Sequence, residues 1–392
     1  MIEVRAAGAL DRATGDAASF LRETWGRRAT FAEAADPNGY GDLLTFEDVD
    51  RMLSTMSLRT PTFRLVKAGE QIPESSYTRS GTTGSRPVSG MADPARIFER
   101  FRQGATIVLQ GLHRYWEPVA GFARELDLEL GHPCQVNAYV TPPGAQGLAL
   151  HSDPHDVFVL QAFGGKHWEV HAAPGESQRD PIQAVVSTGD AIYMPAGTPH
   201  AAATQETLSG HLTVGVHVRS WRDALSEAWT RVEADEAFDE PVPAGWHHEM
   251  ASFASALGDR LESAAHRLTG LDAEALARSR VDRFLTTRAP LLHGVLTDQL
   301  SAGAIDDATS VRRRRGSVCE IRADGERIAV LLGDRRIEMP AWLEPAMRTI
   351  AGTPSFAIGD LAPHVADAES RAVLVRRLVR EGLLTLDRPA AG

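Results

Sequence analysis

The segment from Gln135 to about Val218 constrains the fold of this 392-residue chain most strongly. Short runs rich in β-branched and aromatic residues alternate there with turns that contain Gly and Pro. The runs read QVNAYV, FVLQAF, HWEVH, AIYMP and HLTVGVHV. Several short strands at this spacing predict a β-sandwich or a barrel.

The run HLTVGVHV indicates how such a strand faces its surroundings. The even-numbered positions from Leu212 to Val218 are all apolar, whereas the odd-numbered positions from His211 to His217 are polar or Gly. Successive side chains of a strand alternate between its two faces, so one face is apolar and the other polar. The pattern fits a barrel strand with a functional interior and, equally, a strand with one face in water.

The regions on either side of this segment predict helices, which makes the chain α+β as a whole. Residues 1–60 carry apolar residues at helical spacing, and Phe98 to Leu128 do the same with a break near Gly111. Residues 75–92 are rich in Ser, Thr and Gly and are predicted to form a mobile loop. Further along, residues 221–310 predict a second set of helices.

A smaller α+β unit is predicted at residues 317–388. A helix over Glu369–Arg380 is followed there by a strand over Leu383–Leu386. A three-helix core that ends in a hairpin would be winged-helix-like.

Charge and composition exclude several classes of protein. The chain has 41 Lys and Arg residues against 52 Asp and Glu residues, and its net charge of −11 repels nucleic acid over most of the surface. No apolar run reaches the roughly 18 residues of a membrane span, and the N-terminus shows no secretory signal. We therefore expect a cytoplasmic protein without membrane contact. Cys134 and Cys319 lie outside any CxxC, which argues against a disulfide framework or a structural zinc site.

The run Arg312–Arg315 is the local exception to the acidic charge. We interpret it as a solvated loop between two elements, because no aromatic residues are interleaved with the arginines. The alternative is a regulatory protein whose winged-helix-like domain contacts DNA through this run.

The chemistry of the chain is predicted to centre on His151, Asp153 and His200. Residues two apart on a strand share a face, so His151 and Asp153 can both reach one metal ion. His200 closes the segment GDAIYMPAGTPH, in which a short strand lies between two turns, and would supply the third ligand from a neighbouring strand. Two imidazoles and one carboxylate form the facial triad of non-haem Fe(II) oxygenases. An HxD pair alone is a weak signal among fourteen histidines, and other metal-binding barrels stay open as alternatives.

Further motifs accompany the triad in a fixed order between roughly residues 16 and 220. They are FLRETWGRR at 20–28, QVNAYVTPPGAQG at 135–147, DVFVLQ at 156–161, GKHW at 165–168 and HLTV at 211–214. Together they resemble the JmjC-type ribosomal oxygenases, the cupin-4 branch of the 2-oxoglutarate oxygenases.

The resemblance implies a double-stranded β-helix, the cupin or jelly-roll fold, with N-terminal helices in residues 1–220. It also implies a helical dimerisation region in residues 221–310, hence a homodimer, and a winged-helix-like domain in residues 311–392. The triad would bind Fe(II), with 2-oxoglutarate and O₂ as cosubstrates. Succinate and CO₂ would form while a side chain of a protein or peptide is hydroxylated.

Four more residues are candidates for contacts with the cosubstrate. By position, Lys166 matches the family's basic residue that pairs with the distal carboxylate of 2-oxoglutarate, and a buried carboxylate needs a charged partner. Asn137 and Thr213 are weaker candidates, because ordinary hydrogen bonding within strands explains them equally well. Tyr139 shares a face with Asn137 and either contacts the cosubstrate or packs. The remaining histidines of the region are expected around the site or on the surface: His155, His167, His171, His211 and His217.

The resemblance favours a ribosomal protein as the substrate. An acidic enzyme would also encounter a basic ribosomal protein readily. The alternatives are a hydroxylase of a natural-product precursor peptide, a barrel enzyme that does not use 2-oxoglutarate, and a non-catalytic metal-binding regulatory protein.

Overall fold

The structure is a computed structural model that describes residues 8–34, 36, 38–145, 149–177 and 179–387. It divides into two compact units, Met1–Val218 and Arg219–Gly392. The end of the QVNAYVTPPGAQG motif, at residues 146 and 147, lies outside the described residues. None of the described helices is both long enough and apolar enough to span a membrane.

The first unit combines helices with antiparallel strands. Its helices are α1 (Ala9–Thr14), α2 (Ala17–Glu23), α3 (Phe46–Thr55), α4 (Pro94–Arg102) and α5 (Glu117–Leu130). Its strands are β1 (Thr30–Ala32), β2 (Phe63–Lys67), β3 (Glu70–Gln71), β4 (Thr78–Thr83), β5 (Arg86–Ala92), β6 (Thr106–Leu109), β7 (Cys134–Thr141), β8 (Asp156–Val170), β9 (Ile182–Ser187), β10 (Ala191–Met194) and β11 (His200–Val216).

Two long strands, β8 and β11, run through a nine-stranded sheet. Its main path has the order β1-β10-β8-β11-β7-β6-β2-β3. The second half of β8 pairs with β9 on one side and with the start of β11 on the other. This sharing of two long strands between two sets of partners is the pairing pattern of a jelly roll, and the predicted α+β class is confirmed.

Gly164 allows β8 to pass from one sheet to the other. Its φ of +67° lies in the left-handed region, which strains any residue with a Cβ atom. A Cβ atom at this position would also lie 1.8 Å from the carbonyl oxygen of Leu208. The bend therefore requires glycine on two independent grounds.

The two faces of β11 serve two different cores. Leu212, Val214 and Val216 are fully buried in the cluster that α1 to α5 cover. Each such side chain contributes roughly 1.5–3 kcal/mol to folding through burial. The opposite face points into the barrel, where Val159 and Met194 belong to a separate apolar cluster. Of the two readings of this strand, a strand whose polar face lies inside the barrel is the one observed.

Two expectations for the first unit were wrong. Residues 75–92 were predicted to form a mobile loop, but they form a 3₁₀ turn at Glu74–Ser76 and the hairpin of β4 and β5. The predicted helix from Phe98 to Leu128 is interrupted by β6. The four residues of β6 are all buried, and a short apolar run of this kind has no periodicity that separates strand from helix.

The second unit begins with four helices and continues as a mixed structure. The helices are α6 (Trp221–Glu233), α7 (Met250–Thr269), α8 (Ala273–Thr286), α9 (Val295–Ser301), α10 (Glu344–Gly352) and α11 (Ala368–Arg380). The strands β12 (Ser310–Arg313), β16 (Ser355–Ala357) and β17 (Leu384–Leu386) form one sheet. The strands β13 (Glu320–Asp324), β14 (Arg327–Leu331) and β15 (Arg336–Pro340) form another.

The arginine run at 312–315 is not the solvated loop that we expected. Arg312 and Arg313 belong to β12. Arg314 is buried, and its guanidinium donates to Asp298 Oδ2 at 2.5 Å. Thr385 donates to the same carboxylate oxygen at 2.7 Å. A buried charge of this kind requires such partners, so Arg314 joins elements of the second unit.

Candidate metal centre

His151 and His200 lie directly opposite each other in an isolated antiparallel bridge. The backbone N–H of His151 donates to the carbonyl of His200 at 3.0 Å, and the reverse bond measures 2.8 Å. Opposed residues of an antiparallel pair project to the same face. The two imidazole centroids are accordingly 4.3 Å apart.

Asp153 joins this pair through the turn that precedes His200. The N–H of Gly197 donates to the carbonyl of Asp153 at 2.8 Å, which fixes the backbone of the acid beside the turn. Its Oδ2 atom lies 3.7 Å from His200 Nε2. One ligand atom from each of His151, Asp153 and His200 lies within 4.8 Å of the other two. The structure thus brings the three predicted residues together.

Both imidazoles present Nε2 to the centre of the triad. Nδ1 of His151 lies 2.8 Å from the carbonyl oxygen of Ala149, and Nδ1 of His200 lies 2.9 Å from that of Thr198. A carbonyl only accepts, so Nδ1 carries the proton and the lone pair is on Nε2. Burial, with a smaller effect from His151, lowers the pKa of His200, which keeps this imidazole neutral as a metal ligand must be.

The donor set fits a divalent first-row metal. Two neutral imidazoles and one carboxylate are the ligands of the facial triad, which Fe(II) oxygenases use. Within the ranges that the structure describes, this is the one cluster of three His, Cys, Asp or Glu residues at ligand spacing.

Lys166 is a buried cation on β8. Only 2% of the residue is exposed, and burial lowers its pKa to about 8. Nζ donates to Thr141 Oγ1 at 3.3 Å, and that hydroxyl lies 3.1 Å from Thr106 Oγ1. No carboxylate pairs with Lys166 among the described residues. A buried ammonium that bonds a hydroxyl group and has no carboxylate partner among the described residues is suited to receive an anion.

The other three predicted cosubstrate residues lie on one face of β7 and β11. Tyr139 is opposite His211, and Asn137 is opposite Thr213. The Tyr139 and His211 rings stack with centroids 5.2 Å apart. Asn137 already uses its amide oxygen to accept from Gly111 N–H at 2.9 Å. Tyr139 therefore packs on a residue of the neighbouring strand, whereas Asn137 has a structural contact with Gly111.

His211 and Arg64 are residues of the site whose importance the sequence did not indicate. His211 was grouped with peripheral histidines, but it is buried between Tyr139 and Trp168. Burial first, then the charge of Lys166, lowers its pKa well below the ordinary value, so it is neutral. Arg64 on β2 lies close enough to Tyr139 to lower the pKa of its hydroxyl, an effect smaller than that of burial, which raises it. The alternation in HLTVGVHV was a signal that could have pointed to His211, because it places this residue on the polar face of β11. Arg64 stands alone in its strand, and no motif points to it.

The side chains of three remaining histidines of the region contact groups outside the triad. His171 pairs with Glu169, with Nε2 2.8 Å from Oε1. His155 and His217 contact each other edge to face, with ring centroids 5.4 Å apart.

Part of the chain, including the triad, matches a known domain family. Residues 123–224 match the model of the JmjC domain. Ribosomal oxygenase 1 of Homo sapiens is 30% identical over 241 residues, which are 57% of this chain and 36% of that protein. The protein named bifunctional lysine-specific demethylase and histidyl-hydroxylase NO66 of Drosophila grimshawi is 27% identical over 253 residues, 58% of this chain and 34% of that protein. The chain spans little more than a third of these curated relatives.

Solved structures share the fold over nearly the whole chain. The ribosomal oxygenase YcfD from Escherichia coli aligns with a TM-score of 0.55 at 15% identity, covering 95% of this chain and 98% of that one. The same protein in complex with cobalt and 2-oxoglutarate aligns with a TM-score of 0.54 at 16% identity and the same coverage.

Proposed function

We propose that this chain, which carries a JmjC domain at residues 123–224, is an Fe(II)- and 2-oxoglutarate-dependent oxygenase that hydroxylates a side chain of a protein or peptide. One observation carries the proposal. A facial triad lies in the same barrel as a buried lysine that has no carboxylate partner among the described residues. A metal-binding barrel that does not use 2-oxoglutarate explains the triad but not Lys166.

Each residue of the site has a role in this proposal. His151, Asp153 and His200 hold Fe(II), which together with 2-oxoglutarate and O₂ supplies the oxidising power for converting C–H to C–OH. The carbonyls that accept from Nδ1 hold the two imidazoles in the orientation and tautomer that ligation needs. Lys166 binds the distal carboxylate of 2-oxoglutarate.

The walls of the pocket support this binding mode. The Thr141 hydroxyl, already bonded to Lys166 Nζ, can donate to the same carboxylate. The stacked rings of Tyr139 and His211 exclude water beside it. Weaker contacts with the cosubstrate come from Asn137 and Thr213, whose positions face each other across β7 and β11.

Turnover of the cosubstrate tests the reaction class. Purified protein with Fe(II) and 2-oxoglutarate in air is expected to form succinate slowly even without a protein substrate, and His200→Ala is expected to form none. His171→Ala is the matched control, because this histidine pairs with Glu169 rather than with the triad. Succinate formation that is equal in His200→Ala and the unaltered protein would refute the assignment.

The substrate that we propose is a ribosomal protein, with a natural-product precursor peptide as the alternative. Relatives named ribosomal oxygenases and a histidyl-hydroxylase support this choice. Intact masses of ribosomal proteins from cells with the gene and with its His200→Ala form are expected to differ by one oxygen atom in one protein. Identical masses throughout would point to a dedicated peptide instead.

We also propose the predicted domain division: a catalytic region at 1–220, a dimerisation region at 221–310 and a winged-helix-like domain at 311–392, in a cytoplasmic homodimer. The exposed apolar residues Trp221 and Leu225, one turn apart on α6, support the dimer because water-facing stripes of this kind usually have a partner. Light scattering at micromolar concentration is expected to give twice the chain mass, and a monomer would contradict the dimer.

The burial of one arginine in the run 312–315 argues against the DNA-binding alternative. Arg314 is buried against Asp298 and cannot reach a phosphate. A gel shift with duplex DNA at low salt is expected to show no binding.

A further inference from the structure

Arg64 is a charged side chain at the proposed site for which the reaction needs no role. It lies on β2, opposite Val108 of β6, and Val108 is opposite Tyr139 of β7. Directly opposed residues share a face, so Arg64 and Tyr139 project toward the same side of the sheet. Phe63 and Leu65, its neighbours on β2, point to the other side and belong to the core beneath the helices.

The partners of Arg64 leave its charge uncompensated. Nε donates to Gln110 Oε1 at 2.5 Å, and the guanidinium lies close enough to the Tyr139 hydroxyl to lower the pKa of that group. Both partners are neutral, and a guanidinium has five N–H donors. No ion pair involves Arg64 within the ranges that the structure describes, although the side chain is only partly exposed.

The position of Arg64 relates it to the metal triad. Tyr139 is close enough to Asp153 for that carboxylate to raise its pKa, although burial is the larger cause. Tyr139 is therefore near both the guanidinium and a metal ligand. A group bound by Arg64 would be held close to the proposed reaction centre.

The chain around Arg64 is basic, in contrast to the rest of the protein. Residues 59–114 contain nine Lys and Arg residues against four Asp and Glu residues, within a chain of net charge −11. Two of the four acids, Asp93 and Glu99, form ion pairs with Arg96 and Arg102 on α4. This segment supplies β2 and the β4–β5 hairpin, whose base bonds to the residues just before β2 through Gly90 and Thr60.

We infer that Arg64 is a specificity-determining residue that binds a carboxylate of the substrate, so that the preferred peptide carries Asp or Glu beside the residue to be oxidised. The inference rests on the proposed function. A guanidinium binds a carboxylate through two parallel hydrogen bonds, which fixes orientation as well as charge. The local basic charge would reinforce this preference even though the chain as a whole is acidic.

Peptide binding without turnover tests this inference. The probes are two fluorescein-labelled pools of twelve-residue peptides with a randomised centre, one flanked by Asp and Glu and the other by Lys and Arg. Fluorescence anisotropy is measured under nitrogen with Fe(II) and 2-oxoglutarate. We expect the full-length protein to prefer the acidic pool, and Arg64→Gln to weaken that binding at least about tenfold. Arg64→Lys is expected to retain part of it.

The matched control is Lys67→Gln on the same strand. Lys67 is exposed on the face away from the barrel interior and donates to the carbonyl of Gln103, so its loss is expected to leave the preference unchanged. Equal affinity for the two pools, including no measurable binding of either, or an unchanged affinity in Arg64→Gln, would overturn the inference. Succinate formation by the unaltered protein is assayed separately, so failure of the oxygenase assignment is distinguishable from failure of the Arg64 assignment.

Discussion

Replacing Lys166 with Met tests two effects of its buried charge separately. One is the cost to folding stability, and the other is the contribution to 2-oxoglutarate binding. The substitution keeps the apolar stem and most of the volume but removes the ammonium. Burial lowers the pKa of Lys166 from an ordinary value of 10.5 to about 8. At 1.36 kcal/mol for each pKa unit, a cation this deep costs the folded state about 3 kcal/mol at neutral pH.

The sign of the effect follows from proton linkage. The folded protein binds the Lys166 proton less tightly than the unfolded chain does, so the cost is complete below about pH 8. It disappears as the pH rises from about 8 to 10.5, where both states lose the proton. In the absence of 2-oxoglutarate, Lys166→Met is therefore expected to raise the free energy of unfolding by up to about 3 kcal/mol at pH 7. Urea denaturation across this pH window measures the change.

Cosubstrate binding is expected to change in the opposite direction. The carboxylate of 2-oxoglutarate would lose its buried partner in Lys166→Met, which weakens binding by about 3 kcal/mol, roughly a hundredfold. Lys166→Arg is expected to lose less because the charge survives. Anaerobic calorimetry with Fe(II) measures the affinity. A Lys166→Met protein that is less stable at pH 7 and binds 2-oxoglutarate unchanged would show that Lys166 is a structural residue.

Four further substitutions have defined outcomes. His151→Ala is expected to abolish Fe(II) binding in anaerobic metal analysis, because one of three ligands is lost. Gly164→Ala is expected to cost at least about 2 kcal/mol in urea, since a left-handed backbone and a clash add together. Gly175→Ala is the comparison for Gly164→Ala. Its φ is +83°, but an added Cβ atom would meet no other atom within 4 Å, so the expected cost is only about 1 kcal/mol. Arg314→Met is expected to destabilise the second unit by about 3–5 kcal/mol because Asp298 stays buried without its partner.

Two control variants belong with these measurements. His171→Ala is expected to keep its iron, and loss of the metal there would mean that the His151 result reflects general damage. Arg312→Met removes an exposed arginine of the same run, whose Nε lies 3.6 Å from Asp387, and is expected to cost under about 1 kcal/mol. Equal costs for Arg312→Met and Arg314→Met would contradict the role of burial.

The sequence predicted the barrel and the triad because each has a local pattern. Alternation along HLTVGVHV separated the apolar from the polar face of β11, without telling whether the polar face lines a barrel or meets water, and His151 and Asp153 are two residues apart. Residues 106–109 were assigned to a helix because three consecutive apolar residues, Ile107 to Leu109, fit either period. The Ser-, Thr- and Gly-rich composition of residues 75–92 fits a loop, yet pairing between β4 and β5 satisfies their backbone groups instead.

What the sequence could not indicate depends on contacts between distant residues. Arg314 looks like its neighbours in a basic run, but Asp298 and Thr385 surround it only after folding. Arg64 meets Tyr139 across three strands, 75 positions along the chain. The 1.8 Å approach to Leu208 that makes Gly164 necessary likewise arises only in the folded chain.

In the bridge between His151 and His200, the backbone N–H of each residue donates to the carbonyl of the other. These two amide protons belong to residues that would hold the metal. Each of those protons is covered only while the bridge is closed. Their replacement by deuterium therefore reports opening of the ligand pair, independently of unfolding of the barrel around it. A metal ion would join the same two residues a second time through their side chains. Metal binding is therefore expected to slow deuterium exchange at the amides of His151 and His200, since it would hold the two residues together while the backbone bonds open.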